Sequence, residues 1–203
     1  MKNYFVTGIG TDVGKTIVAA ILTEALKADY WKPVQAGDLH LTDTMKVAAM
    51  ISNSKSFFHP ERFQLTQPMS PHAAAAMDNI KINASDFVLP TTNNRLIVEG
   101  AGGIMVPINE KEMVIDIIKK LSLEVILVVK NYLGSINHSI LSIETLRSHK
   151  IPVKGIIFNG ERNEASERFV LNYASTSFIG FIPQLPDLTP NTIAKIAQQF
   201  HHL

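Results

Sequence analysis

The chain alternates between two hydrophobic patterns. Short, nearly unbroken apolar runs at 4–6, 30–34, 95–99, 125–129, 153–159 and 178–183 predict strands buried on both faces. Between them, apolar residues recur every three or four positions. That spacing predicts helices from Lys15-Thr16 to Leu26 and over 43–51, 114–121, 136–149, 165–174 and 190–200. The segment from Ala28 to Tyr30 is short, so the first helix must pass almost directly into the second strand. Pro60, Pro68 and Pro71 break any long element over 55–80, with one short helix expected at 73–77.

Strands alternating with helices predict right-handed βαβ units. The expected fold is therefore α/β, a mostly parallel sheet flanked by helices on both faces. Ligands bind such sheets at the carboxyl ends of the strands. Five predicted strand ends carry glycine or polar residues: 8–14, Lys32, 99–103, 130–136 and Asn159. That edge is the expected active site.

The first strand end is the most informative. Tyr4, Phe5 and Val6 run into a loop with Gly8, Gly10 and Gly14, and Gly14-Lys15-Thr16 opens the first helix. Strand, glycine loop and helix start form a phosphate cradle, because loop N–H groups turn inward and the helix N-terminus adds partial positive charge. Lys15 is placed to reach β- and γ-phosphates, and the Thr16 hydroxyl to ligate Mg²⁺. The spacing departs from the usual phosphate-loop pattern: five residues, not four, separate Gly8 from Gly14, and Ile9 occupies the usual glycine position.

Composition narrows the setting. The 203 residues suffice for one α/β domain, and 46% hydrophobic with 18% charged residues describe a globular protein. A formal net charge of +1 favours neither nucleic acid nor an anionic membrane surface. The absence of cysteine excludes disulfides, thiolate metal sites and Cys nucleophiles, and it fits a reducing cytoplasm. No apolar run approaches the roughly 18 residues of a membrane span, and Thr7-Gly8 interrupts any signal-peptide pattern. The expected location is cytoplasmic. The seven histidines are scattered; only His201 and His202 are adjacent, in an expected frayed C-terminus.

A nucleotide-bound Mg²⁺ takes one or two carboxylates besides the Thr hydroxyl. Glu99, ending an apolar strand before a glycine-rich stretch, is the first candidate and Asp43 the second, although Asp43 could equally be a helix N-cap. Lys32, between Trp31 and Pro33, is either a solvated lysine or a cation aimed at a developing anion.

Taken together, these stretches resemble the dethiobiotin synthetase family. The matching residues are 4–8 with 13–16, Lys32-Pro33-Val34, Ser70-Pro71-His72, Val98-Glu99-Gly100-Ala101-Gly102-Gly103, Leu133-Gly134-Ser135-Ile136-Asn137-His138 and Ile182-Pro183. The resemblance implies a single P-loop NTPase domain over 1–203 that joins 7,8-diaminononanoate and CO₂ into a ureido ring at the expense of ATP. It implies Lys15, Lys32 and Thr11 as catalytic residues and Thr16, Asp43 and Glu99 as ligands of Mg²⁺. Nucleotide contacts are implied for Asp12, Val13, Gly14, Lys15, Thr16, Ile17, Gly100, Ala101 and Gly102, with Asn159, Gly160, Pro183, Gln184 and Leu185 around the adenine. Substrate contacts are implied for Asp12, Lys32, Ala36 and Gly103. Leu133, Gly134, Ser135, Ile136 and Asn137 of a partner subunit are implied to receive the substrate carboxylate, which makes the enzyme a homodimer.

Two residues depart from the family pattern: Asp12 stands where Glu is frequent, and Ala36 where a hydroxyl residue is common. Other P-loop classes fit less well. Partition-type ATPases carry an extra early lysine where this chain has Thr7, Gly8 and Ile9. A GTPase needs an Asn-Lys-x-Asp string, which is absent. A small-molecule kinase gives no reason for the Lys-Pro-Val and Gly-Ser-Ile-Asn-His stretches to coexist.

Overall fold

The computed structural model describes residues 2–203. In chain order the elements are β1 (Tyr4–Gly8), α1 (Lys15–Leu26), β2 (Asp29–Trp31), β3 (Val34–Ala36), α2 (Asp43–Met50), β4 (Phe58–His59), β5 (Phe63–Leu65), α3 (Pro71–Met77), β6 (Leu96–Gly103), α4 (Val114–Leu121), β7 (Glu124–Lys130), α5 (Ser135–Ser148), β8 (Val153–Gly160), α6 (Glu164–Ala174), β9 (Phe178–Pro183) and α7 (Pro190–Ala197). Single 3₁₀ turns occur at Ala84–Asp86 and Gln198–Phe200.

Seven strands form one sheet in the order β4-β2-β6-β1-β7-β8-β9, and every pairing within it is parallel. The central strand β1 is buried at all five positions, and β7 is buried from Val125 to Val129, so both faces are covered. Parallel strands need crossovers, which the helices supply while sealing the faces. Helices α1, α2 and α7 pack together, α5 packs on α6, and α4 lies against β6. Among the described residues no helix is long and apolar enough to cross a membrane.

Four expectations need correction. The strand expected at 30–34 is two strands: β2 ends at Trp31, and β3 begins at Val34 in a separate parallel pair with β5. Pro33 lies at the break, where its missing N–H cannot continue a ladder; its carbonyl instead accepts from Phe63 N–H at 3.0 Å. The prolines over 55–80 exclude long elements as expected, leaving only the short strands β4 and β5, but the helix expected at 73–77 already begins at Pro71, which opens α3 rather than breaking it. The glycine run after Glu99 stays in the sheet as the end of β6, with Gly103 paired beside Gly8 of β1. The C-terminus is not frayed, since the His201 ring is bonded to the Ala25 carbonyl at 2.7 Å and Phe200 is fully buried. The tight entry into β2 is confirmed. Lys27 turns in the left-handed region at φ 50°, and Asp29 already pairs in the sheet.

Candidate active site

The edge formed by the ends of β1, β2 and β6 opens into a cleft of about 850 Å³. Thr11, Asp12, Gly14, Lys15, Thr16 and Ile17 form one wall, and Lys32, Ala36, Asp43, Glu99, Ala101 and Gly102 reach it from neighbouring elements. The cleft thus gathers most of the residues expected for nucleotide and metal.

The phosphate loop is shaped by two glycines and one buried anchor. Val13 is buried beneath the loop, and a Cβ on Gly8 would stand 2.4 Å from its side chain. Gly14 caps α1 at φ 92°, a conformation that L side chains rarely adopt. A Cβ on Gly14 would also fall 2.1 Å from Asn159 Nδ2. Asn159 occupies that space because its amide donates to the Val13 carbonyl at 2.9 Å, tying the end of β8 to the loop. Lys15 donates to the Gly10 carbonyl at 2.8 Å across the loop. Burial, reinforced by Lys32, brings its pKa down to about 8 against the opposing pull of Glu99, Asp12 and Asp43.

Beside the loop lies a buried charge network. Lys32 Nζ stands 2.6 Å from Asp43 Oδ2 and 3.0 Å from Glu99 Oε1. Glu99 Oε1 also accepts from Thr16 Oγ1 at 2.8 Å, and Glu99 Oε2 accepts from Tyr30 OH at 2.8 Å. Burial alone would favour neutral Lys32, but the two carboxylates outweigh it and its pKa is raised. Burial likewise works against Asp43 ionisation, and Lys32 and Lys46 more than offset it, leaving the Asp43 pKa lowered. Burial and the Glu99 charge push the Tyr30 phenol well above its usual range, so it acts as a donor.

The solvated reading of Lys32 therefore fails, since the residue is 5% exposed. Asp43 is not the N-cap of α2 either. Thr42 takes that role, accepting from Met45 N–H at 3.3 Å, and leaves the Asp43 carboxylate facing Lys32. Sequence reasoning missed Tyr30, Gln35 and Lys46. Gln35 accepts from Asp43 N–H at 3.1 Å and donates to the Gly37 carbonyl at 2.9 Å, fixing the start of α2. Tyr30 stands two residues before Lys32, and that alternate spacing was the available sign that both serve one face.

Other expected residues lie outside this cleft. Gly100 packs against Phe5. Gly103 lines, with Met105, His138 and Leu141, an apolar cleft of about 390 Å³ on the other side of Thr11. Leu133, Gly134 and Ile136 line a third, of about 400 Å³, at the start of α5, and Ser135 is buried behind them. Asn159 and Gly160 pair with Ile182 and Pro183 across the ends of β8 and β9, with Gln184 and Leu185 following directly. Among the described residues no group of three or more His, Asp or Glu is arranged around a metal position. Thr16, Asp43 and Glu99 remain as the candidate ligands. His72 bonds Ser70, and His138 bonds Tyr132.

Comparison with known proteins bears on the fold and the family. Solved structures similar in fold include the cell-division protein MinD of Aquifex aeolicus, at 15% identity, TM-score 0.59 and coverage of 100% of this chain and 96% of that one. MinD of Pyrococcus furiosus aligns at 12% identity with TM-score 0.60, covering 100% and 99%. These show a P-loop ATPase fold. The family described as an AAA domain matches residues 2–192. ATP-dependent dethiobiotin synthetase BioD of Christiangramia forsetii is 48% identical over 199 residues, covering 98% of this chain and 96% of its own. The protein of the same name from Cytophaga hutchinsonii is 47% identical over 198 residues, covering 97% and 96%. By these relatives and the family match over nearly its whole length, the chain belongs to the ATP-dependent dethiobiotin synthetase family.

Proposed function

We propose that this chain, as one catalytic domain over 1–203, closes the ureido ring of dethiobiotin in biotin biosynthesis. It acts as an ATP-dependent cyclo-ligase on 7,8-diaminononanoate and CO₂. The observation that carries this reading is Lys32, held 2.6 Å from Asp43 and 3.0 Å from Glu99 beside the phosphate loop. A phosphate loop alone serves many ATPases. A buried ammonium next to it supplies the further cation that an anionic carbamate needs when it approaches an anionic triphosphate.

In the proposed reaction one substrate amine adds to CO₂ and loses a proton, and Lys32 holds the resulting carbamate. A carbamate oxygen attacks the γ-phosphorus while the bond to the ADP oxygen breaks. The second amine then attacks the carbamoyl carbon, expels phosphate and closes the ring. Lys15 reaches the β- and γ-phosphates, and Thr11 completes the catalytic set. Backbone N–H groups of Asp12 to Ile17 cradle the phosphates, and Gly100, Ala101 and Gly102 back them from β6.

Thr16, Asp43 and Glu99 suit Mg²⁺. A hydroxyl and two carboxylates are hard oxygen donors, both carboxylates already meet at one cation (the Lys32 ammonium), and three ligands leave room for water and phosphate oxygens. When bound, Mg²⁺ neutralises charge on the transferred phosphoryl group. Asn159, Gly160, Pro183, Gln184 and Leu185 receive the adenine. Asp12, Ala36 and Gly103 line the path of the diamine, whose apolar chain suits the cleft lined by Met105 and Leu141. Its carboxylate is met by N–H groups of Leu133, Gly134, Ser135, Ile136 and Asn137 at the start of α5 in a second subunit. The fully exposed side chain of Leu133 supports a partner surface there. The enzyme works as a cytoplasmic homodimer.

The test is phosphate release from Mg·ATP, with and without 7,8-diaminononanoate, each with and without bicarbonate. Release that requires both, with a product heavier by one CO₂ less one water, is the expected result. Hydrolysis indifferent to both would overturn the ligase reading in favour of a regulatory ATPase. Release with the diamine alone, in CO₂-free buffer and with a phosphorylated product, would make the chain a kinase.

A further inference from the structure

Glu99 divides its two oxygens between opposite sides of the site. Oε1 faces the cleft, where it accepts from Thr16 and Lys32. Oε2 faces the sheet and accepts from one side chain, Tyr30, at 2.8 Å. Both partners are sealed from solvent, Tyr30 at 0% and Glu99 at 1% exposure.

The strand register explains the meeting. Tyr30 of β2 pairs with Ile97 of β6, and paired residues in parallel strands share a face. Glu99 lies two residues beyond Ile97, and Lys32 two beyond Tyr30, so alternation returns all of them to that face. The phenol therefore approaches the carboxylate from the core and the ammonium from the edge. The Tyr30 ring is fixed in turn by Phe58 of β4, with centroids 6.1 Å apart.

We propose that Tyr30 is a positioning residue for the metal site, its hydroxyl fixing the Glu99 carboxylate so that Oε1 alone is presented to the cation. The inference rests on the reading of Glu99 as a Mg²⁺ ligand. With Oε2 engaged from behind, Glu99 offers one oxygen in one orientation, the arrangement that a cation demanding near-octahedral geometry requires. Without the hydroxyl, Oε2 has no donor, and the carboxylate is free to rotate about its last bond toward Lys32 and Thr16. Hydrogen-bond partners standing behind a metal ligand characteristically contribute ~10–100-fold in metal affinity or activity.

The test is calorimetric titration of ADP into wild type, Tyr30→Phe, Glu99→Gln and the double variant, each with and without Mg²⁺, alongside melting of the metal-free and nucleotide-free proteins. Tyr30→Phe keeps the ring, and unchanged metal-free ADP affinity is the check on its fold. The expected result is an ADP-affinity gain from Mg²⁺ that shrinks by about tenfold in Tyr30→Phe. In the Glu99→Gln background, adding Tyr30→Phe is expected to cost nothing further in that gain. If Tyr30→Phe lowers only the melting temperature and leaves the Mg²⁺ gain intact, Tyr30 is a core tyrosine and the proposal fails. A Tyr30→Phe loss that persists in full without the Glu99 carboxylate also overturns it. An undiminished Mg²⁺ gain in Glu99→Gln would instead remove Glu99 from the metal site, a failure of the underlying reading that the single variant separates from the first.

Discussion

Replacing Lys32 by methionine tests the site most directly, because it removes a charge while nearly keeping the shape. Lys32 Nζ stands 2.6 Å from Asp43 Oδ2 and 3.0 Å from Glu99 Oε1, with the three side chains 7%, 19% and 1% exposed. Without the ammonium, Glu99 loses its salt-bridge partner in the buried end of the cleft, and Asp43 keeps only Lys46, at 3.1 Å. Breaking a buried ion pair on one side costs about 3–5 kcal/mol. For a chain of this size each kcal/mol lowers the midpoint by about 2–4 °C, so the metal-free variant should melt roughly 6–20 °C below wild type. Excess Mg²⁺ should narrow that gap more than it stabilises wild type, since the carboxylates then lack their internal cation; at a hundredfold excess over Kd, binding returns about 2.7 kcal/mol. Turnover should fall independently of the melting point, by on the order of 10²-fold in kcat at saturating Mg·ATP, because the contact to the carbamate is made chiefly in the transition state. The assays are thermal melting across a Mg²⁺ series and phosphate release with the diamine and bicarbonate. A metal-free melting point equal to wild type would refute the energetic reading of the network. Near-normal turnover would remove Lys32 from the mechanism.

Three further outcomes are expected. Gly14→Ala places a Cβ at φ 92° and 2.1 Å from Asn159 Nδ2; the left-handed strain of about 1–2 kcal/mol and displacement of the Asn159 bond to Val13 should lower ADP affinity at least ~10-fold by calorimetry, and unchanged affinity would mean that the loop does not need this geometry. Mixing Lys15→Ala with Asn137→Ala subunits should restore about a quarter of wild-type phosphate release if each site spans two subunits, since about half the dimers are mixed and each mixed dimer keeps one intact site; no rescue would place each site within one chain. At the start of β2, burial opposes ionisation of Asp29, but bonds from Thr92, Phe57 N–H, Asn94 and His59 more than offset it, so its pKa is lowered in the folded state. The stability this provides is present above the unfolded value near 3.8 and is lost as pH falls through the folded value; Asp29→Asn should therefore cost about 1–3 kcal/mol in urea unfolding at pH 7 and progressively less below pH 4, whereas a pH-independent difference would refute the assignment.

What the sequence revealed and what it hid follow from the distance over which each feature is determined. The loop from Gly8 to Thr16 was legible because strand, turn and helix start are consecutive, and each glycine answers a local demand. The strands β1, β6, β7 and β8 were legible because burial on both faces leaves apolar runs, and β9, at the sheet edge with Phe178 half exposed, because its sequence is apolar all the same. The strands β3, β4 and β5 were not, since two or three residues carry no period and Pro33 and Pro60 flank them. Lys32, Asp43 and Glu99 could be nominated one at a time, but their meeting depends on β2 lying beside β6 and β6 beside β1, a sheet order no local pattern contains. Tyr30 shows the same limit most sharply. As the second residue of a three-residue buried strand it looks like core, and only the pairing of Tyr30 with Ile97 brings its hydroxyl to a carboxylate 69 positions away. A buried tyrosine two residues before a buried lysine therefore becomes informative only once the neighbouring strand is known to end in an acid.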